Sequence, residues 1–220
     1  MPLDKEYKNK YEIIFKKVLH NAQSGYYDEA ALPSYTHTNR MMSWLFWQRI
    51  KTAVTLAGPL NMKTVLDFGA GGGITFAYLK ECACQITAGE NEFADLTQWV
   101  ADHLNVDVEI VIDILKYSGK QYDVIFALDV LEHINDLNPY IDKFVELLNP
   151  HGIIVVSGPT ENWLYKIGRK MAGFSGHYHV GNIYHIEEAF NQGGLEKIRL
   201  KKLYPVFTLF RISVWKKKQS

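Results

Sequence analysis

The sequence predicts an α/β protein: a doubly wound, mostly parallel sheet that ends in a C-terminal antiparallel hairpin and is preceded by helices. Three observations predict it. From Lys63 onward, short runs rich in Val, Ile and Leu alternate with segments of helical periodicity, the pattern of a parallel sheet covered on both faces. The first run leads into a glycine turn, "VLDFGAGGG" at residues 65–73, where a strand passes directly towards a helix. The last two runs, "EKIRLKKLYP" and "FTLFRISVWKK", join through Pro205 with no room for a helical crossover, so they pair as a hairpin.

In chain order, "YKNKYEIIFKKVLHNA" and "TNRMMSWLFWQRIKTAVTLAG" carry apolar residues at helical spacing, with the loop "SGYYDEAALPSYTH" between them. They predict two helices laid over one edge. "TVLDF" then gives a first strand and "ITFAYLKE" a helix after the glycines. "QITAGE" and "VEIVI" give the second and third strands around a helix "FADLTQWVADHL". "YDVIFAL", the helix "LNPYIDKFVELL" and "GIIVVS" follow, and the hairpin brings the total to seven strands. The expected organisation is one structural domain overall, with residues 1–60 an N-terminal helical lid and residues 61–220 the main domain.

The 220 residues are 47% hydrophobic, and 24 Lys plus Arg balance 24 Asp plus Glu. There is no global field to recruit nucleic acid, and no nucleic-acid partner is expected. The charged N-terminus has no signal-peptide core, and no uncharged apolar run reaches membrane-spanning length, so the expected setting is cytoplasmic. Cys82 and Cys84 form a Cys-x-Cys pair, read as reduced thiols with no metal site.

Two cofactor classes use a strand, a glycine turn and a helix start. The dinucleotide fingerprint G-x-G-x-x-G needs a third glycine where this chain has Ile74, which counts against a nicotinamide-dependent oxidoreductase. The spacing that is met is Gly69, Gly71 and Gly73 after Asp67. This arrangement resembles the first motif of class I S-adenosylmethionine (SAM) dependent methyltransferases, a Rossmann-like superfamily. The resemblance implies that Gly69, Ala70, Gly71 and Gly73 let backbone approach the cofactor's methionine part, while Asp67 suits its ammonium. Exposed N–H groups at a helix start suit its carboxylate. The alternative for Asp67 is an acid that caps the turn by bonding backbone N–H groups.

Later stretches extend the resemblance over about residues 63–160. Glu90, about 20 residues past the glycines, stands where an acid accepts from ribose hydroxyls; the alternative is a helix-capping group near "NEFADL". Asp113 matches the acid that accepts from the adenine amino group, with Ile114 packing on the ring. "YDVIFALDVLEHI" resembles the fourth-strand motif, so Ala127 and Leu128 flank the cofactor. The implied cofactor is SAM, with S-adenosylhomocysteine (SAH) as its product.

The implied reaction is methyl transfer to a small-molecule nucleophile, oxygen first, and the acceptor type is lipid-like, quinone-like or glycan-related. An oxygen acceptor needs a proton removed or an ionised form positioned. His133 in "LEHI" and His177 and His179 in "GFSGHYHVGN" are the catalytic candidates. Structural or backbone-bonded roles stand as the alternatives for all three. Tyr26, Tyr27, Trp163 and Tyr178 are the substrate-binding candidates, from the N-terminal loop and the segment after the fifth strand. Peripheral membrane contact through "FTLFRISVW" and the lysine tail, against a final strand with a solvated tail, is a further partner reading. A non-catalytic SAM-binding or scaffold protein is the alternative from another functional class.

Overall fold

The computed structural model describes residues 5–21, 35, 40–82, 84–160, 181–204 and 208–218. The chain divides into two compact units, Met1–Asp113 and Ile114–Ser220. In the first, helices α1 (Lys5–Asn21) and α2 (Arg40–Ala57) precede strand β1 (Thr64–Phe68). They are followed by the short helix α3 (Phe76–Leu79), β2 (Gln85–Gly89), α4 (Ala94–Leu104) and β3 (Val108–Val111). Strands β1 and β2 pair in parallel from Thr64↔Gln85 to Phe68↔Gly89, and β2 pairs in parallel with β3 from Ile86↔Val108 to Gly89↔Val111. This register lines up the carboxyl ends of all three strands, the edge at which α/β sheets build their sites.

Helix α1 buries Tyr11, Ile14 and Phe15 and exposes Asn9, Lys10, Ile13, Lys16 and Lys17, an amphipathic arrangement at a period of 3.6 residues. Tyr11 stacks edge-on against Phe15 and against Trp47 of α2, with ring centroids 5.2 and 5.9 Å apart. The two early helices predicted from spacing are therefore present and packed on one another. Helix α4 ends at Asn105, whose left-handed φ of 52° and backbone N–H bonds to Ala101 and Asp102 carbonyls stop the helix, a role asparagine fills with little steric cost.

The second unit holds β4 (Tyr122–Leu128), α5 (Asn138–Leu147), β5 (Leu148–Pro159), α6 (Ile183–Gln192), β6 (Leu195–Leu203) and β7 (Phe210–Lys217). Strands β4 and β5 are parallel, while β7 runs antiparallel to both β5 and β6, so the C-terminal hairpin is as predicted. Asn182 starts α6 by accepting from the Tyr184 and His185 backbone N–H groups, an N-cap of the expected residue type. Among the described residues there are seven strands, in the order β3-β2-β1 within the first unit and β4-β5-β7-β6 within the second. β6 is an edge strand whose Lys197, Arg199, Lys201 and Lys202 are all exposed.

Two elements differ from the sequence reading. The helix expected over "ITFAYLKE" shrinks to four α-helical residues followed by a 3-10 turn over Lys80–Cys82. The glycine turn itself runs on to Thr75, so little chain remains before β2. Strand β5 starts at Leu148, well before "GIIVVS", and its pairing with β4 shifts register after Tyr122↔Leu148.

Candidate functional site

Strand β1 carries Asp67 to the carboxyl edge, where it is 3% exposed. Its side chain accepts a hydrogen bond from Thr75 Oγ1. A carboxyl taken out of water this completely is pushed up to about 7, chiefly by burial; Thr75 pulls the other way and the neighbouring Glu90 charge adds to the rise. The carboxyl edge of β1 thus holds a buried acid with a hydroxyl donor.

The turn that follows depends on left-handed backbone at Gly69 (φ 72°), Gly71 (φ 50°) and Gly73 (φ 63°), a conformation costly for residues with a Cβ. At Gly73 space adds to conformation, since a Cβ there would lie 2.6 Å from the Phe76 ring. The turn is held from several elements. Gly69 N–H donates to Gly89 of β2 at 2.8 Å, and Gly71 N–H donates to Glu90 Oε2 at 2.7 Å. Gly71 carbonyl accepts from Thr97 Oγ1 of α4 at 2.6 Å.

Glu90 follows β2 directly and is half-buried. Its other oxygen, Oε1, accepts from Phe93 N–H at 3.2 Å, just ahead of α4. The helix-capping alternative is thus part of its structure, joined to a bond with the glycine turn. Each carboxylate oxygen has a second lone pair for an incoming hydroxyl. Asp113 lies two residues beyond the end of β3 rather than on it and is exposed, whereas Ile114 is buried. Helix α3, only four residues long, is too short to draw a carboxylate by its dipole alone.

In the second unit, Ala127 is fully buried in β4, in register with Val156, and Leu128 is half-buried at the strand end. The next residue, Asp129, adopts φ 55°. Ser157 holds it there, accepting from Asp129 N–H at 3.0 Å and donating through Oγ to Asp129 Oδ1 at 3.2 Å. His133 is exposed on a 3-10 turn, its N–H bonded to the Val130 carbonyl. Tyr26, Tyr27, Trp163, His177, Tyr178 and His179 lie outside the described residues.

The residues that spacing did not flag are Thr75, Thr97 and Tyr11, whose hydroxyl donates to the Gly73 carbonyl. Tyr11 and Thr97 reach the turn's carbonyls by a hydroxyl, while Thr75, at the end of the turn, donates its hydroxyl back to Asp67; a sequence reading assigns both threonines to ordinary helix positions.

The family model described as "Methyltransferase domain" matches residues 40–208. The chain belongs to that family. It carries a class I SAM-dependent methyltransferase domain, with the Rossmann-like sheet expected of it. A ubiquinone biosynthesis O-methyltransferase of Azorhizobium caulinodans is 30% identical over 104 residues, 45% of this chain and 41% of that protein. A second protein of that name, from Bartonella tribocorum, is 25% identical over 48% of this chain and 44% of its own length. The match thus spans less than half the length of these curated relatives.

Among solved structures, SAH-bound magnesium protoporphyrin IX methyltransferase from Synechocystis PCC 6803 superimposes with a TM-score of 0.68 at 17% identity. The alignment covers 92% of this methyltransferase chain and all of that one. N-methyltransferase NodS from Bradyrhizobium japonicum WM9, also bound to SAH, gives 0.65 at 14% identity, covering 89% and 100% of the two chains. These likenesses establish the fold. Among the described residues, no helix is long and apolar enough to cross a membrane.

Proposed function

We propose that this methyltransferase moves the methyl group of SAM to a small-molecule nucleophile, with oxygen as the acceptor atom. The observation that carries the donor half is Asp67, a buried acid raised to about 7 by desolvation beside left-handed glycines. An ammonium is the group that returns such an acid to its ionised form, since an opposite charge at close range lowers a carboxyl pKa. The donor set fits: Asp67 holds the ammonium, backbone around Gly69, Ala70, Gly71 and Gly73 receives the carboxylate, and Glu90 accepts from ribose hydroxyls. Asp113 and Ile114 take the adenine, with Leu128 and the backbone of Ala127 beside it.

SAM supplies a methyl carbon made electrophilic by its sulfonium. The chain's part is to hold the acceptor in line with that carbon and to keep water from it, which by itself supplies much of such a rate. An oxygen acceptor loses its proton to a base or arrives ionised; His133, His177 and His179 are the candidates for that base. Tyr26, Tyr27, Trp163 and Tyr178 line the acceptor side in this reading, under a cover formed by residues 1–60. The relatives named for ubiquinone biosynthesis favour a hydroxyl on a quinone-like, lipid-like molecule over a glycan; the setting in this reading is cytoplasmic.

Two measurements test the reading. Calorimetric titration with SAH should give saturable binding that is lost in folded Asp67→Ala and Glu90→Ala. Methyl transfer from labelled SAM to a set of phenols, with amines and thiols alongside, should favour the phenols. Absence of SAH binding by well-folded, cofactor-free protein rejects the donor half, and preferred transfer to amines rejects the acceptor atom.

A further inference from the structure

The family match begins at residue 40, which leaves α1 outside it, yet α1 reaches the centre of the glycine turn. Tyr11 is fully buried, and its hydroxyl donates to the Gly73 carbonyl at 2.5 Å. That carbonyl also accepts from Phe76 N–H at 3.1 Å, so both of its lone pairs are used. Two residues earlier the Gly71 carbonyl is fixed by Thr97, and the Gly71 N–H by Glu90.

A trans peptide is planar, with its C=O and N–H pointing in opposite directions. Holding a carbonyl therefore aims the N–H of the next residue. Thr97 sets the direction of the Gly72 N–H, and Tyr11 together with Phe76 sets that of Ile74. Glycines leave this backbone many alternatives, and the hydroxyls remove them before any ligand arrives.

We infer that Tyr11 is a positioning residue for the methyl donor: through the Gly73 carbonyl, α1 presets the turn that receives the donor's methionine part. The inference rests on the SAM reading above. Because binding free energies are reciprocal, a donor that prefers the preset turn also stabilises α1 in its docked position. The Tyr11 hydroxyl then links α1 to the donor site, and the protection of α1 reports the site's occupancy.

The test compares Tyr11→Phe with Phe15→Leu. Tyr11→Phe keeps the ring contacts to Phe15 and Trp47 and removes only the hydroxyl. Phe15→Leu loosens the same helix and leaves the hydroxyl in place. Without ligand, hydrogen exchange at the amides of residues 72–76 should speed up in Tyr11→Phe. SAH should bind Tyr11→Phe roughly threefold to tenfold more weakly, the loss expected for one hydrogen bond. Phe15→Leu should lower the Tm with SAH affinity within about twofold of wild type. In wild type, SAH should slow exchange across α1.

Equal SAH affinity in wild type and Tyr11→Phe overturns the inference and leaves the donor reading intact. Equal weakening in both variants also overturns it, since packing alone then accounts for the effect. A folded wild type that binds no SAH overturns the donor reading and the inference with it.

Discussion

Two buried carboxylates divide the molecule by purpose. Asp67, in the first unit, accepts from a threonine hydroxyl and is raised to about 7. Glu187 on α6, in the second, is nearly as buried but meets two cations. Arg211 of β7 donates to it twice, at 2.7 and 3.3 Å, and Lys197 of β6 once at 2.7 Å. Burial alone would raise Glu187 too, yet bonds and charge from Arg211 and Lys197 outweigh it and hold the acid below its ordinary value. Both cations also lie over rings, Arg211 4.8 Å from Tyr184 and Lys197 5.1 Å from Trp215. Arg211 and Lys197 give Glu187 its counter-charge, so that group ties a helix to two strands. Asp67 has a hydroxyl donor in place of a cation and stays raised.

Removing Glu187 should break this contrast most strongly. Glu187→Ala leaves two cations partly buried without their shared anion and should lower stability by about 3 kcal/mol, read from denaturant midpoints. SAH affinity should stay within about twofold, because no partner of Glu187 belongs to the glycine turn. With its folded pKa below the unfolded one, Glu187 contributes stability that is present above the unfolded value and lost as pH falls through the folded one.

Asp67→Asn should do the reverse. Losing a charge-assisted contact should weaken SAH binding about 10- to 100-fold. The ligand-free variant should nevertheless be more stable than wild type at pH 8. Between about 4 and about 7 native Asp67 keeps a proton that the unfolded chain releases, so wild type loses stability as pH rises through that window. The advantage of Asn should be roughly 1–3 kcal/mol at pH 8 and close towards pH 4, visible as converging Tm values. An ammonium ligand pulls Asp67 towards ionisation, so SAH binding should release protons below pH 7, measurable by calorimetry in buffers of different ionisation enthalpy.

Gly73→Ala sharpens the picture with a smaller effect. Its left-handed φ and the Phe76 ring 2.6 Å from the new Cβ should cost about 1–2 kcal/mol and weaken SAH at the same time. The smallest change belongs to Glu196→Gln, which breaks the 3.0 Å pair with Lys216. Both side chains are substantially exposed, so stability read from the denaturant midpoint should change by less than about 0.5 kcal/mol.

What was legible in the sequence was local or periodic. "TVLDF", "QITAGE" and "YDVIFAL" carry their strands in composition, and the glycine spacing marks the turn. The hairpin followed from Pro205 and the short connection. The short α3 was hidden because "ITFAYLKE" has helical periodicity, while the turn's backbone geometry, invisible in the pattern, extends into it. The early start of β5 was hidden by Asn149 and Pro150, which read as a turn but lie within the strand, between the paired residues Leu148 and Ile153. The Tyr11 bond spans 62 positions of sequence; helical spacing marks Tyr11 as core and is silent on where its hydroxyl goes. Thr97 was concealed in the same way inside α4, and the charge state of Asp67 depends on a burial that no motif states.

The row of cations on β6 bears on how the protein behaves in company. An outermost strand leaves one line of backbone donors and acceptors open to any other extended chain. Ile198 and Leu200, 39% and 41% exposed, would make that line attractive. Arg199, Lys201 and Lys202, exposed along the strand, make a second copy of β6 electrostatically unwelcome beside the first. Such a row of charge is a common way for an edge strand to discourage pairing with another extended chain.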